Sequence, residues 1–443
     1  MNNIFQKAIN YGLKKGVDQI ELFLLDGHSD VVLIEKNAIK ATECKSLTGV
    51  SVRAYTNKGL GIATNTLIDE KNITKTIKEA VILSKLSPPD DLFKSLPGPF
   101  DNYPKVVGLF DYNLKNLSDE QLIDLAIESI DSALEKDKVI VSGNVNRTYA
   151  KEHVINSNGI EVSDEFSSIS GVIFAKAEKN FDIATSWEYQ KTRSKKEFNP
   201  QKIGQTAATN AISLLGSKKI HSAKLPIILD YRSTLDTLSS IIGDGLDAYE
   251  VILKTAFFKD RLGEQITSDE ITLIDNPLYA SGVGSSNFDD EGVPHQILTL
   301  IEKGVAKSFF TNSYCANALG IKNSGNASKI SLNSKPYPDL TQVQISPGTW
   351  SLEEMIAETK HGLYLKDSSL EPTSGSPNIS DLIDQGFLIK NGEITHPLKE
   401  TMVGTTIFEL LKSIDAVSKE VINENGSISP AIRITKVNVA GGK

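Results

Sequence analysis

The sequence predicts an α+β protein of two domains, with a first domain over 1–216 and a second over 224–443. Three observations lead to this prediction. A chain of 443 residues is too long for one ordinary hydrophobic core, and its 40% hydrophobic residues are enough to fill two. Helical and alternating β patterns both occur in the first half, which predicts a mixed antiparallel sheet with helices, whereas the second half reads as mostly β. The polar segment 217–222 separates a predicted helix end from a predicted strand, which favours a domain boundary there.

In the first domain, apolar residues at helical spacing predict an opening helix that stops at Gly16, where a left-handed C-cap suits glycine. Strands are then predicted at 21–25 and 31–34, on either side of a turn at Asp26-Gly27-His28. The remaining predicted elements are a hairpin of 50–55 with 61–64, an amphipathic helix at 71–86, a proline-rich connector at 87–106, a helix with a capping box at Ser118 to Gln121, strands at 138–150, 153–163 and 168–189 with a hairpin turn at 156–159, and a helix at 200–215.

In the second domain, a strand at 226–229 is followed by few helices and many short strands. The predicted helices lie at 233–243, 312–319, 351–357 and 402–415, and the further predicted strands at 271–274, 296–302, 341–345, 362–366, 386–390 and 431–440. The order of these strands in a sheet does not follow from the sequence.

Composition excludes several classes of protein. The net charge of −9 and the pI near 5.4 argue against direct binding to nucleic acid, which needs clustered Lys and Arg. Two cysteines, Cys44 and Cys315, imply no disulfide framework. The first residues lack a signal-peptide pattern and no run of about 18 apolar residues occurs, so we expect a cytoplasmic protein without a membrane segment.

Local motifs for metal or covalent chemistry are missing from the sequence. The six histidines are scattered singly, and none stands in a His-x-x-x-His or His-x-x-Glu-His pattern. The Gly-x-Ser-x-Gly nucleophile motif and the phosphate loop are absent, and the glycine loops do not complete a dinucleotide fingerprint. The sequence therefore argues against a nucleotide cofactor, and we expect no cofactor in this chain.

One acidic turn, Asp289-Asp290-Glu291-Gly292-Val293-Pro294, is followed directly by His295. In a functional interpretation, the adjacent carboxylates raise one another's pKa, bind a cation or hold a peptide amine. In a structural interpretation, the segment is a loop with a left-handed glycine before a strand. Taken alone, the pattern favours the structural interpretation.

The segment 239–248 resembles a metal-binding helix from which the ligands have been removed. It is similar to the His-Glu-x-x-Gly-His-Gly-Leu-Glu motif of the TldD/PmbA metallopeptidase family, also called the modulator of DNA gyrase family. The Gly-x-Gly-Leu-acid frame is kept as Gly243, Gly245, Leu246 and Asp247. Further similarities, weak singly and consistent in order and spacing, run along nearly the whole chain at 49–55, 59–63, 258–266, 274–277, 288–292, 301–305, 324–327, 388–394 and 434–442.

The resemblance implies a subunit without the metal site. The two ligand histidines of the family motif fall on Ser239 and Asp244, and its glutamate falls on Ser240. The region 426–431, which corresponds to the family's cysteine ligand near the C-terminus, holds no cysteine, and Cys315 lies too early in the chain to replace it. The chain therefore resembles the TldE (PmbA) type, and zinc is expected in a TldD-type partner.

The resemblance also implies degradation of unfolded peptides by a TldD/TldE heterodimer whose site is enclosed between subunits, and a homodimer stays open as an alternative. Such a site can hold a peptide through backbone hydrogen bonds with edge strands. We expect the Gly- and Ser-rich loops at 282–287 and 374–380 to line it. The candidate peptide-cavity residues are Asp244, Gly284, Asp289, Asp290, Glu291, His295, Gly375 and Ser380.

Two alternatives to this hypothesis are kept. One is a self-sufficient hydrolase whose fold brings together Asp244, Glu250 and His295 as a non-standard site. The other is a regulatory protein-binding module, as the family's gyrase-modulator label suggests, which would act through a protein contact because the acidic charge does not favour DNA.

Overall fold

Two β-sheets, one formed before residue 193 and one after residue 222, give the chain its architecture. The structure is a computed structural model that describes residues 2–135, 139–373 and 375–442. The first residue of the strand predicted at 138–150 and the first residue of the loop predicted at 374–380 lie outside the described residues. The predicted α+β class is confirmed, with helices on an antiparallel first sheet and a mostly β second half.

Most helices lie where the periodicity of the sequence predicts them. Ser118 caps its helix through the predicted capping box, because its side chain accepts from the Gln121 N–H while the Gln121 side chain accepts from the Ser118 N–H. In the described chain the α-helices are α1 (Asn2–Lys14), α2 (Glu70–Leu86), α3 (Tyr112–Lys115), α4 (Asp119–Leu134), α5 (Pro200–Ser213), α6 (Tyr231–Leu246), α7 (Ala248–Leu253), α8 (Ser313–Leu319), α9 (Leu352–Glu358) and α10 (Ile407–Lys412).

The described strands form two large sheets and one separate two-stranded sheet, in which Ala327–Ser328 pairs with Tyr337–Pro338. Those of the first sheet are β1 (Gln19–Glu35), β2 (Ala38–Ser46), β3 (Gly49–Thr56), β4 (Gly59–Asn65), β5 (Val139–Asn156), β6 (Glu161–Lys179) and β7 (Asp182–Thr192). Later in the chain follow β8 (Ala223–Leu229), β9 (Leu273–Asp275), β10 (Leu298–Glu302), β11 (Val305–Ala306), β12 (Ala327–Ser328), β13 (Tyr337–Pro338), β14 (Val343–Ile345), β15 (His361–Asp367), β16 (Asn378–Leu382), β17 (Gln385–Lys390), β18 (Glu393–Pro397), β19 (Met402–Thr406), β20 (Ile414–Glu424) and β21 (Ser427–Ala440).

The first sheet is antiparallel, with strand order β4-β3-β1-β5-β6-β7, and β2 pairs with the second half of β1. Helices α1 and α2 pack on one end of it and form a core with β1 and β3. Helices α4 and α5 pack on β5, β6 and β7 and form a second core. The opposite face of β5, β6 and β7 is turned toward the second domain.

The turn predicted at Asp26-Gly27-His28 is wrong, because β1 runs through it as one strand of 17 residues. Gly27 lies opposite Ala150 of β5, and a Cβ at Gly27 would lie 2.4 Å from the Ala150 Cβ. Glycine is therefore needed here because two strands lie close together, and not because the chain turns.

The hairpin turn predicted at 156–159 joins β5 to β6. The break predicted at 151–152 does not occur, since β5 continues to Asn156. The segment predicted as one strand at 168–189 is two strands, separated by a turn at Asn180-Phe181 whose φ angles are 51° and 68°. A phenylalanine in the left-handed region is uncommon, which is why the composition of this turn did not reveal it.

The second sheet is mixed, with strand order β11-β10-β9-β14-β21-β8-β15-β17-β18, and β16, β19 and β20 attach through β21. The pairs β8 with β15 and β14 with β21 are parallel. Helix α6 packs across β21, β15 and β8 over the largest hydrophobic core. The helix predicted at 402–415 is wrong: β19 occupies its first part, and Thr406 then caps the short α10 by accepting from the Glu409 N–H.

Among the described residues, no helix combines the length and the apolar character needed to cross a bilayer.

Candidate functional site

Helix α6 carries the positions at which the family resemblance expects metal ligands. It begins after Asp230, whose side chain accepts a hydrogen bond from the Tyr231 N–H at 2.8 Å. Its apolar face is buried in the core of the second domain through Leu238, Ile241, Ile242 and Leu246. Packing alone therefore accounts for the position of this helix.

The side chains at the ligand positions do not fit a zinc ion. Ser239 and Ser240 are half-buried and Asp244 is exposed on the polar face of α6. Zinc sites use several His, Cys, Asp or Glu side chains, and a neutral serine hydroxyl is a poor substitute. Across the ranges that the structure describes, no three such side chains form a group that could hold a metal. Burial, followed by the charges of Glu250 and Glu371, raises the pKa of Asp244.

The retained part of the family motif has packing roles. A Cβ at Gly245 would lie 2.3 Å from the buried Phe258 ring, so this position requires glycine, whereas a Cβ at Gly243 would meet nothing within 4 Å. Asp247 ends α6 and caps α7 by accepting from the Tyr249 N–H at 2.7 Å. Burial raises the pKa of Asp247 to about 7. Packing and capping therefore explain Gly245, Leu246 and Asp247 without a metal, whereas nothing in the described structure requires glycine at Gly243.

A cavity of about 370 Å³ lies between the two domains. One wall is the outer face of β5, β6 and β7, which is turned away from α4 and α5. The other wall comes from the second domain, mainly from the loop 283–290, with His295 and Thr341. Four carboxyl groups line this space, and we call it the acidic cavity; they belong to Glu152, Asp164, Asp289 and Asp290.

The first domain supplies two of these carboxyl groups from directly opposite positions. Glu152 of β5 is the register partner of Asp164 of β6, so their Cβ atoms are close and their charges repel. Burial, with the charges of Asp290 and Asp164, raises the pKa of Glu152 to about 8. Burial also raises the pKa of Asp164, although the Asn287 side chain donates to its carboxylate at 2.7 Å.

The acidic turn supplies the other two. Asp289 accepts from the backbone N–H groups of Glu291 and Val293 at 2.9 Å and of Ala327 at 3.0 Å, which fixes the loop. Asp290 accepts from the Lys329 N–H at 2.6 Å. Burial raises the pKa of Asp290 to about 6 and holds the pKa of Asp289 well above its usual range.

Glu291, the third acid of the turn, belongs to a different group of charges. Its carboxylate accepts from Arg53 of β3 at 3.0 Å, and Arg53 also donates two hydrogen bonds, at 3.0 and 2.7 Å, to Glu21 of β1. The Lys329 ammonium lies 3.5 Å from the Glu21 carboxylate. We call Glu21, Arg53, Glu291 and Lys329 the paired cluster. All are buried, and they join the two domains by balanced charges.

Arg193 at the end of β7 fastens the glycine-rich loop to the first domain. Its guanidinium donates to the carbonyl oxygens of Gly282 at 3.1 Å, Val283 at 2.9 Å and Ser285 at 3.0 Å. Among the described residues, no carboxylate lies within 4.0 Å of it. Burial lowers the pKa of Arg193 to about 10, so it stays charged at neutral pH while serving backbone acceptors.

Two buried polar atoms at the wall of the acidic cavity have no hydrogen-bond partner in the described structure: Nδ1 of His295 and Oγ of Ser285. His295 is 6% exposed and Ser285 is 1% exposed. Burial lowers the pKa of His295 to about 4, so its imidazole is neutral at physiological pH.

A second cavity of about 410 Å³ adjoins the first, since Tyr189, Lys191 and Val283 line both. It extends to Arg232 in the first turn of α6. Arg232 pairs with one carboxylate from each domain, at 2.7 Å from Glu188 and 2.6 Å from Glu424. The second cavity therefore extends from residues at the wall of the acidic cavity to the beginning of α6, the helix with the ligand positions.

The structure gathers some of the predicted peptide-cavity residues. Gly284, Asp289, Asp290 and His295 line the acidic cavity, and Glu291 lies behind it in the paired cluster. Asp244, Gly375 and Ser380 are exposed and do not line it.

Sequence reasoning missed Glu152, Asp164 and Arg193, which come from the first domain. A partial signal for the first two exists: they flank the predicted hairpin turn at 156–159, four residues before it and five after it. The observed register, which pairs Ile155 with Glu161, places one carboxylate opposite the other. Arg193 carries no comparable local signal.

The fold and the site together define an α+β protein with two large sheets and a cavity between its domains. Models of PmbA/TldA metallopeptidase domains match in order, with domain 1 at 20–84, the central domain at 112–215 and the C-terminal domain at 222–441. The chain belongs to the PmbA/TldD metallopeptidase family.

Similar proteins carry both names of the family, PmbA and TldD. A metalloprotease of Methanocaldococcus jannaschii is 26% identical, over 91% of this chain and 90% of that protein. Metalloprotease PmbA of Escherichia coli O157:H7 is 24% identical, over 91% and 88%. A metalloprotease TldD homolog of Buchnera aphidicola subsp. Acyrthosiphon pisum is 26% identical, over 89% and 84%.

Solved structures share the fold over the full length. TldE from Thermococcus kodakarensis superposes with a TM-score of 0.90 at 24% identity, covering 99% of this chain and 100% of that one. A putative modulator of DNA gyrase from Thermotoga maritima has a TM-score of 0.86 at 22% identity, with the same coverage.

Proposed function

We propose that this chain is the TldE-type subunit of a TldD/TldE zinc peptidase that degrades unfolded peptides. In this proposal the chain is non-catalytic. It completes the substrate chamber beside a metal site that a TldD-type partner carries, and its interdomain cavities receive part of the peptide. The proposal names a cytoplasmic heterodimer; a homodimer is the alternative assembly.

One observation carries the proposal. Helix α6 keeps the buried face and the packing glycine of the family's metal helix, but it presents Ser239, Ser240 and Asp244 where the family resemblance expects ligands and a general base. A zinc peptidase needs a carboxylate to take a proton from the metal-bound water, and serine cannot do this. The interdomain cavities offer a place for peptide that does not depend on metal.

The alternatives gain no specific support from the geometry. A self-sufficient hydrolase would need Asp244, Glu250 and His295 together, but His295 lines the acidic cavity and the other two do not. Nothing in the described surface favours a gyrase-type partner over a peptidase partner.

The test compares the full chain alone with the chain mixed with a TldD-type subunit. For the protein alone, we expect a zinc content far below one ion per chain. We also expect no hydrolysis of an unfolded peptide such as oxidised insulin B chain. Adding the partner should produce zinc-dependent hydrolysis faster than the partner alone. Stoichiometric zinc in the isolated chain, lost on Asp244→Ala, would overturn the proposal in favour of a self-sufficient enzyme.

A further inference from the structure

The acidic cavity holds one buried acid group, Asp289, and three half-buried ones, and in the described structure no cation pairs with any of the four. Within the described chain, none of its four carboxyl groups lies in an ion pair, although the neighbouring Glu291 has one with Arg53. Burying a carboxylate without a partner is costly, so proteins pair it, protonate it or use it to bind a cation. The question is which of these the cavity does.

The cations beside the cavity form no ion pair with its carboxyl groups in the described structure. Arg193 donates to backbone carbonyl oxygens, and Lys191 lies on the same strand, where burial and the charge of Arg193 lower its pKa. The Lys329 ammonium belongs to the paired cluster beside Glu21. Among the described residues, Arg193 therefore acts on Glu152 and Asp164 only from beyond ion-pair distance, and neither carboxyl group has a directly paired cation.

The unpartnered atoms of the wall indicate the kind of ligand. His295 is neutral, and in the tautomer that carries its proton on Nε2 its buried Nδ1 is an acceptor. The Ser285 hydroxyl oxygen is also an available acceptor. A ligand with several N–H donors and a positive charge satisfies such a lining, whereas an anion does not.

We propose that the acidic cavity binds a primary ammonium group, from the amino terminus of a peptide or from a lysine side chain, through Glu152, Asp164 and Asp290. An ammonium group offers three donors and one charge, which matches carboxylates arriving from two walls. A metal ion is the less suitable cation, because no three His, Cys, Asp or Glu side chains among the described residues are arranged so that they could hold one. This inference deepens the proposed function by naming the part of the peptide that the subunit recognises, and its test needs no partner.

The experiment measures binding of short peptides to the full chain by isothermal titration calorimetry at pH 7. The probes are Ala-Gly-Ser-Gly-Ala amide with a free amino terminus, its N-acetylated form, and acetyl-Ala-Gly-Lys-Gly-Ala amide. We expect the free-amine peptide to bind at least about tenfold more tightly than its acetylated form, as a charge-assisted hydrogen bond implies. The lysine peptide decides the source: tight binding extends the site to side chains, and weak binding restricts it to amino termini.

Variants connect the effect to the cavity. Glu152→Gln and Asp290→Asn should each remove most of the preference for the free amine, while both keep the shape of the side chain. Glu165→Gln is the matched control, since Glu165 is adjacent to Asp164 but lies on the other face of β6, where it pairs with Lys151. Equal affinity for free and acetylated peptides, no binding of either at millimolar concentration, or an unchanged preference in Glu152→Gln would overturn the inference.

A second readout follows from protonation. Burial, followed by the charges of Asp290 and Asp164, raises the pKa of Glu152 to about 8, so we expect its carboxyl group to be mostly protonated at pH 7 in the free protein. An ammonium ligand favours the carboxylate, so binding should release close to one proton at pH 7 and fewer as the pH rises above 8. Titrations in buffers of different ionisation enthalpy measure this. Binding without proton release at pH 7 would contradict the role of Glu152. Failure of zinc-dependent activity with a partner would count against the proposed function and leave these outcomes unaffected.

Discussion

The paired cluster and the acidic cavity contain neighbouring residues of one turn, but the charges are balanced in the first and unbalanced in the second. In the paired cluster, Glu291 and Glu21 are balanced by Arg53 and Lys329 across the domain interface. In the acidic cavity, Asp290 faces Glu152 and Asp164 without an ion pair in the described structure. Two adjacent residues therefore have different roles: Glu291 holds the two domains together, and Asp290 lines a cavity that has room for a ligand.

The difference shows how to distinguish acidic residues that stabilise the fold from acidic residues that bind a ligand or take part in catalysis. A balanced group stabilises the native state as long as all members are present, because removal of one leaves the others uncompensated. An unbalanced group costs stability, and such a cost is characteristic of sites whose work is binding or catalysis. Three predictions test this distinction, and a fourth compares two glycines of α6; they run from the largest expected effect to the smallest.

Arg53→Met should cause the largest loss. It leaves Glu21 and Glu291 buried with only Lys329 nearby, and breaking a buried pair in this way costs about 3 to 5 kcal/mol. The free energy of unfolding in urea measures it. Arg261→Met is the matched control, since Arg261 pairs with Glu264 on the surface and should change little. Similar losses in both variants would remove the special status of the paired cluster.

Adjacent residues of the turn should respond in opposite directions. Glu291→Gln weakens hydrogen bonds from Arg53 and from the Ser313 N–H, and we expect a loss of about 2 to 3 kcal/mol, as for hydrogen bonds to charged groups. Asp290→Asn can keep its hydrogen bond from the Lys329 N–H while removing an unfavourable charge, so at pH 8 stability should be unchanged or higher. Equal losses at both positions would break the comparison.

The acidic cavity should make stability depend on pH. The pKa of Glu152 is raised in the folded chain, so the folded state binds more protons than the unfolded state between about pH 4.5 and pH 8. Stability therefore falls across this window as pH rises. Glu152→Gln should reduce the fall by roughly 2 kcal/mol, since Asp164 and Asp290 share part of the shift. Urea unfolding at pH 5 and pH 8 measures this, with Glu165→Gln as control; a steeper fall in Glu152→Gln would contradict it.

The smallest effect is expected at two glycines of α6: Gly245 is packed against a neighbouring side chain, and Gly243 borders open space. Gly245→Ala should lose about 1 kcal/mol, because the collision with Phe258 outweighs the gain in helix propensity. Gly243→Ala meets open space and should gain up to about 1 kcal/mol. Thermal unfolding midpoints separate the two variants. A stabilising Gly245→Ala would show that the family frame is not kept for packing.

Much of the fold could be predicted from local patterns, because capping and periodicity are written in neighbouring residues. The capping box at Ser118 and the extents of α2 and α5 are examples. The continuity of β1 through Gly27 could not be predicted, because glycine is required there by the close contact with Ala150, which is more than a hundred residues away in the sequence.

The candidate site divides in the same way. The turn with Asp289 and Asp290 is visible in the sequence as a run of acids, and the structure puts both at one cavity. That Glu291 is neutralised by Arg53 depends on strand pairing and on the contact between domains, which no local pattern encodes.

The most direct test of the account asks whether this chain contributes a peptide cavity to an enzyme whose metal lies elsewhere. Ser170 lines the acidic cavity, and Ser170→Trp would fill much of its volume; Ser163→Trp places the same side chain on the exposed opposite face of β6. The measurement is kcat/KM for an unfolded peptide in the complex with a TldD-type subunit, together with zinc content. We predict at least a tenfold loss in Ser170→Trp, no loss in Ser163→Trp, and unchanged zinc in both. Full activity of the Ser170→Trp complex would contradict the account.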